Sequence, residues 1–119
     1  MAPHCDDETL GCGGLISQAL LDGAQVKVIL ATNGDGFHYA AARWFEEVKV
    51  SPQDYQRFAV DRRQESCAAL ATLGLSKSQV ISLGYPDGGT AQMWLDFWSP
   101  NNLFTSPYTK KKHNPYSDT

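Results

Sequence analysis

The densest chemistry in the sequence is His4-Cys5-Asp6-Asp7-Glu8, an imidazole and three carboxylates in a row of five residues. Side chains of these types can converge on one divalent ion. A carboxylate left off the metal can then serve as general base toward the attacking water. The simpler alternative is a helix N-terminus whose acids favour the macrodipole. That accounts for Asp7 or Glu8, but not for His4 or for three acids together. Gly11-Cys12-Gly13-Gly14 follows. It lacks the full G-x-G-x-x-G spacing, and the neighbouring acids repel phosphate, so a nucleotide cradle is the weaker reading.

Other residues stand out singly. Arg62 falls on the apolar stripe of a long helical pattern, four residues after Phe58 and four before Ser66. A charge there is paired or functional. A bridge to Glu65 and a ligand contact both fit. Asp87 lies in Tyr85-Pro86-Asp87-Gly88-Gly89, strong turn chemistry that could also reach a ligand when it follows a strand. His38 and His113 are candidate additional metal ligands, each alone among loop-like residues. Trp94, Phe97 and Trp98 have helical spacing, which favours core packing over stacking on a sugar ring.

These residues need elements to position them. Leu10 to about Asp22 reads as a helix with Leu15, Ile16, Ala19 and Leu20 on one face, stopped by Gly23. Val26 to Ala31 is short and β-branched, a mostly buried strand. Thr32 to Phe37, with Asn33-Gly34-Asp35-Gly36, is a loop. Ser51-Pro52-Gln53-Asp54 is a helix start, with Ser as cap and Pro at the first position. That helix runs to about Leu73 with Tyr55, Phe58, Ala59, Ser66, Ala69, Leu70 and Leu73 on one stripe. Val80 to Leu83 is a second strand, 84–89 a loop, and Met93 to Trp98 one or two helical turns. Nothing regular is expected from Ser99 onward.

Helix, strand, helix, strand with short connections predicts an α/β domain spanning residues 1–119, with a three-layer, Rossmann-like parallel sheet. In such sheets ligands sit at the carboxyl ends of the strands. Residues 4–8 would join the loops 32–37 and 84–89 there if a strand preceded Met1. The sequence begins where that strand should be finishing.

Composition narrows the classes. Ten Lys+Arg against thirteen Asp+Glu give a formal charge of -3, which lacks the electrostatic footprint of a nucleic-acid binder. Lys110-Lys111-Lys112 is too short a run to change that. No apolar stretch approaches the roughly 20 residues of a membrane helix, and acids this early do not make a signal peptide. Cys5, Cys12 and Cys67 are an odd count with no C-x-x-C spacing. They read as reduced thiols of a cytoplasmic protein, Cys67 as a small core residue.

Taken together, the blocks resemble the zinc-dependent N-acetylglucosaminyl deacetylases, the PIG-L or LmbE-like family, which includes glycosylphosphatidylinositol-pathway and mycothiol-pathway deacetylases. The family opens on Ala-His-Pro-Asp-Asp-Glu or Pro-His-Pro-Asp-Asp-Glu; here the opening is Pro3-His4-Cys5-Asp6-Asp7-Glu8, with Cys5 in place of Pro. The further blocks are Arg62-x-x-Glu65-x-x-x-Ala69-x-x-x-Leu73-Gly74 and Leu83-Gly84-Tyr85-Pro86-Asp87-Gly88. Thr32-Asn33-Gly34-Asp35-Gly36 is similar to one branch.

The resemblance implies roles. His4 and Asp7 match two zinc ligands, Asp6 the general base, and Arg62 and Asp87 positions that contact sugar hydroxyls. It implies metal-assisted hydrolysis of the acetamide of an N-acetylated sugar or glycoconjugate, with Zn2+ or another divalent metal as cofactor. Cys5 beside the site is a packing change or an adventitious soft ligand. The family's third zinc ligand is a His of a later motif, which His113-Asn114-Pro115-Tyr116 does not resemble. The chain is therefore expected to correspond to the N-terminal half of such an enzyme, without its first strand and C-terminal half. A catalytically inactive form that folds or forms a homo-oligomer with weak metal binding is the alternative.

Overall fold

The structure, a computed structural model, describes residues 1–116. In chain order it has α1 (Asp7–Leu21), β1 (Val28–Thr32), α2 (His38–Phe45), α3 (Pro52–Thr72), a 3-10 turn (Lys77–Gln79), β2 (Val80–Tyr85) and α4 (Thr90–Asp96). This is a mixed α/β chain with a small parallel sheet, an incomplete Rossmann-like arrangement.

β1 and β2 pair in parallel, Val28 with Val80 and Leu30 with Ser82, with an irregularity before Thr32 and Tyr85. The crossover between them carries α2 and α3. The stretch before His4 is not wholly unpaired: Ala2 makes an isolated parallel bridge to Leu30 on the edge of β1 away from β2. The Ala2 amide donates to the Ile29 carbonyl (2.8 Å), and the Ala31 amide donates to Ala2 (2.9 Å). The Thr32 amide donates to Pro3 (3.0 Å). His4 and the loops after β1 and β2 thus leave three adjacent parallel segments at their carboxyl ends, where such sheets bind ligands.

The main core gathers Ala2, Cys5, Ile16, Val28, Leu30, Leu70 and Leu75, so α1 and α3 both pack on β1. A second cluster, Ala41, Val50, Tyr55 and Phe58, joins α2 to α3. The start of α3 follows its sequence: the Ser51 hydroxyl accepts from the Asp54 amide (3.2 Å) and the Asp54 carboxylate accepts from the Ser51 amide (3.3 Å). This reciprocal box satisfies two amide groups at the helix start.

Several expectations are corrected. α1 begins at Asp7, not Leu10, so the acids of the motif form its first turn. Ile16 is the inward position of α1, and Leu15, about 100° around the helix, is 71% exposed. His38 opens a helix that the sequence did not announce. α2 has no side-chain cap, and its ending rests on Glu46 in the left-handed region (φ 55°) rather than on a glycine. Trp94 and Trp98 are each 69% exposed, and their rings meet edge to face at 5.1 Å. They are not core. Cys67 is half-buried rather than a core residue.

Candidate active site

The three acids of the motif separate into three environments. Asp6 is the N-cap of α1 and has φ 126°, a conformation that L-residues rarely adopt. It is held from both sides. Its amide donates to Glu8 Oε2 (3.1 Å), and its carboxylate pairs with Arg62 Nη2 (2.9 Å). Glu8 is buried, and its Oε1 accepts from the hydroxyls of Thr9 and Ser66. The third acid therefore locks the motif to α3. Asp7, in the first turn, faces His4: Asp7 Oδ2 lies 3.1 Å from His4 Nδ1 and accepts the His4 amide (3.0 Å).

Arg62 reaches in from α3. Its Nη2 also donates to the Cys5 carbonyl (2.7 Å), and its Nη1 donates to the Gly34 carbonyl (3.0 Å). The guanidinium lies over the Phe58 ring at 5.8 Å and is 12% exposed. Its ion-pair partner is Asp6 rather than Glu65, 56 residues away in sequence rather than three. Gly34 (φ 67°) makes the approach possible, because a Cβ there would collide with the Arg62 guanidinium.

Asp87 comes from the loop after β2. Its Oδ1 lies 3.1 Å from His4 Nε2, and its Oδ2 accepts the Gly36 amide (3.1 Å). His4 therefore stands between two carboxylates, one on each ring nitrogen. The five residues singled out by the sequence, His4, Asp6, Asp7, Arg62 and Asp87, form two linked groups. His4, Asp7 and Asp87 make one, Asp6 and Arg62 the other, and they join through the short chain from His4 to Asp7.

His38 and His113 take no part in these contacts. His38 Nδ1 bonds the Tyr55 hydroxyl (2.7 Å), linking α2 to α3. His113 lines a cavity of about 200 Å³ with Phe97, Phe104 and Asn114, which Asp35 also borders. Cys5 is buried in the core, its Sγ directed at the Thr32 carbonyl (3.9 Å). Burial pushes its thiol up to about 12, so it packs as a neutral side chain rather than lying open as a soft ligand.

The donors suit a divalent ion in part. His4 and Asp7 are of the right types, converge at 3.1 Å, and have side chains that are about two-fifths exposed. A catalytic zinc ordinarily takes three protein ligands. Among the described residues no group of three or more His, Cys, Asp or Glu side chains is placed to hold a metal.

The sequence missed the parts that grip these residues. On sequence grounds the helix dipole accounts for Asp7 or Glu8, and Thr32 to Phe37 is a loop at the carboxyl end of a strand. In the structure Asp35 is fully buried and accepts the Asp87 amide (2.9 Å) and the Tyr116 hydroxyl (2.8 Å). Burial raises the carboxyl of Asp35 above its usual value, and burial with the neighbouring Asp35 charge raises the Tyr116 phenol. Asn33 is also buried; its Oδ1 accepts from Ser82 (3.0 Å), while its Nδ2 has no partner among the described residues. The adjacent letters Asn33 to Gly36 were the only sequence signal for this cradle.

No helix among the described residues is long and apolar enough to cross a membrane. Neither a curated protein nor a solved structure matches the chain. The family model described as PIG-L, GlcNAc-PI de-N-acetylase, matches residues 1–113, which include the whole cluster built on His4, Asp6, Asp7, Arg62 and Asp87. With all but its last six residues inside that match, the chain belongs to the PIG-L family.

Proposed function

We propose that the chain is a metal-dependent hydrolase that removes the acetyl group from an N-acetylated amino sugar or sugar conjugate. The reading rests on family membership, and the observation that carries it is the His4–Asp7 contact at the carboxyl end of the sheet, with the Asp6 carboxylate held beside it by Arg62. His4 and Asp7 would hold Zn2+ or another divalent ion, which supplies Lewis acidity toward the amide carbonyl and acidifies water when bound. Asp6 takes the proton of the attacking water and returns it to the leaving amine. Arg62 holds the Asp6 carboxylate in place, and the strained Asp6 backbone fixes where that carboxylate points. Asp87 holds the far ring nitrogen of His4, the role that a carboxylate behind a ligating histidine commonly plays. Arg62 and Asp87 meet sugar hydroxyls, as the family resemblance implies, in addition to these internal bonds. Three free thiols support a cytoplasmic location.

The second reading is a catalytically inactive form that folds or oligomerises and binds metal weakly; what favours it is that no group of three His, Cys, Asp or Glu side chains among the described residues is placed to hold a metal. Acetate release from N-acetylglucosamine conjugates by zinc-loaded protein separates the two. The first reading predicts measurable release that falls about 10²- to 10⁴-fold in Asp6→Asn, the usual contribution of a general base. No release from wild type above the Asp6→Asn background supports the second.

A further inference from the structure

Asp35 has no part in the chemistry above, yet it is among the most deeply buried side chains of the chain, 2% exposed. Its two oxygens accept from neutral donors, the Asp87 amide and the Tyr116 hydroxyl. A carboxylate buried against neutral donors is costly, so its placement needs a reason beyond packing. The contacts supply one. Asp87 is gripped twice by the loop after β1: Asp35 holds its backbone, and the Gly36 amide holds its Oδ2. Gly36 allows that closeness, since a Cβ there would lie 2.9 Å from Asp87 Oδ2. The remaining oxygen, Oδ1, is thereby aimed at His4 Nε2. Tyr116, itself buried, secures the far side of Asp35 from beyond the residues that the family model matches.

We propose that Asp35 is a positioning residue: with Tyr116 it anchors the backbone of Asp87, and through Asp87 it fixes the ring of His4. The inference rests on the reading of His4 as a site residue, but not on a bound metal. It is tested on metal-free protein by long-range 1H–15N spectra of the imidazoles, at one pH. The chain has three histidines, so His38 and His113 serve as internal controls.

In Asp35→Ala the His4 ring signals shift toward those of a freely solvated imidazole, while the His38 signals hold. Asp35→Asn keeps the wild-type His4 signals, because the amide oxygen still accepts from Asp87 and the amide nitrogen can donate to the Tyr116 oxygen. Asp87→Ala shifts His4 at least as far as Asp35→Ala, and the double variant shifts it no further than Asp87→Ala alone, as expected for residues acting in series. Should Asp35→Ala fail to fold, Tyr116→Phe replaces it, with a smaller His4 shift expected. Unchanged His4 signals in a folded Asp35→Ala or Tyr116→Phe protein overturn the proposal. So does a double variant whose shift is the sum of the two single ones. Lack of acetate release from wild-type protein would overturn the proposed hydrolase without touching the Asp35 proposal, which the imidazole spectra decide separately.

Discussion

At the scale of single residues, the site is a set of carboxylates given different tasks by their surroundings. Asp6 is exposed enough to meet solvent and paired with Arg62; Glu8 is buried and locked by hydroxyls; Asp35 is buried against the Asp87 amide and the Tyr116 hydroxyl. Burial raises the Asp35 carboxyl above its usual 3.8, so the folded chain binds that proton more tightly than the unfolded one. The group's stabilising contribution is full below the usual value and is lost as pH rises through the raised one. Asp35→Asn removes that dependence while keeping the acceptor for the Asp87 amide. Its Tm relative to wild type is therefore expected to rise from acidic toward neutral pH in calorimetric scans. A difference that is flat or falls would contradict the burial of a charge there. The sequence singles out His4, Asp6 and Asp7 because they fall within four residues, and Arg62 because a charge interrupts an apolar stripe. It did not reveal the Asp35 contacts, which span 52 and 81 residues and leave no local pattern.

Elements with strong local signals were legible, and those held by tertiary contacts were not. α3 carries its start in Ser51, Pro52 and Asp54, and the structure builds the capping box from those residues. Ser51→Ala should cost about 1 kcal/mol, the usual value of such a cap, read as a lower denaturant midpoint with an unchanged slope. No loss would mean that packing alone sets the helix start. α2 lacked comparable signals: no side-chain cap, eight residues, and an end at Glu46. Packing of Ala41 against Tyr55 and Phe58 holds it. α4 shows the opposite error. Its aromatic spacing suggested burial, but spacing reports only that a face is apolar, not that anything covers it.

Over the whole molecule, that uncovered surface recurs. Leu10, Leu15 and Leu21 of α1, Ile81 and Leu83 of β2, Trp94 and Leu95 of α4, and Trp98 just beyond it are all exposed. One side of the sheet has α1 and α3 against it, while alternate residues of β2 remain open to solvent. The radius of gyration is 15.4 Å, above the about 13.5 Å expected for a compact domain of this length, and the thinnest dimension is 23 Å. Apolar surface on this scale favours self-association. Sedimentation velocity over a range of concentrations is expected to show a rising average mass; a single monomeric species throughout would contradict it.

A metal site built in part on His4 and Asp7 is tested by zinc titration of wild-type protein against His4→Ala. Wild type is expected to take up zinc, and His4→Ala to lose that uptake while unfolding at nearly the same denaturant concentration. Equal uptake by the two proteins, or none by wild type, would contradict it.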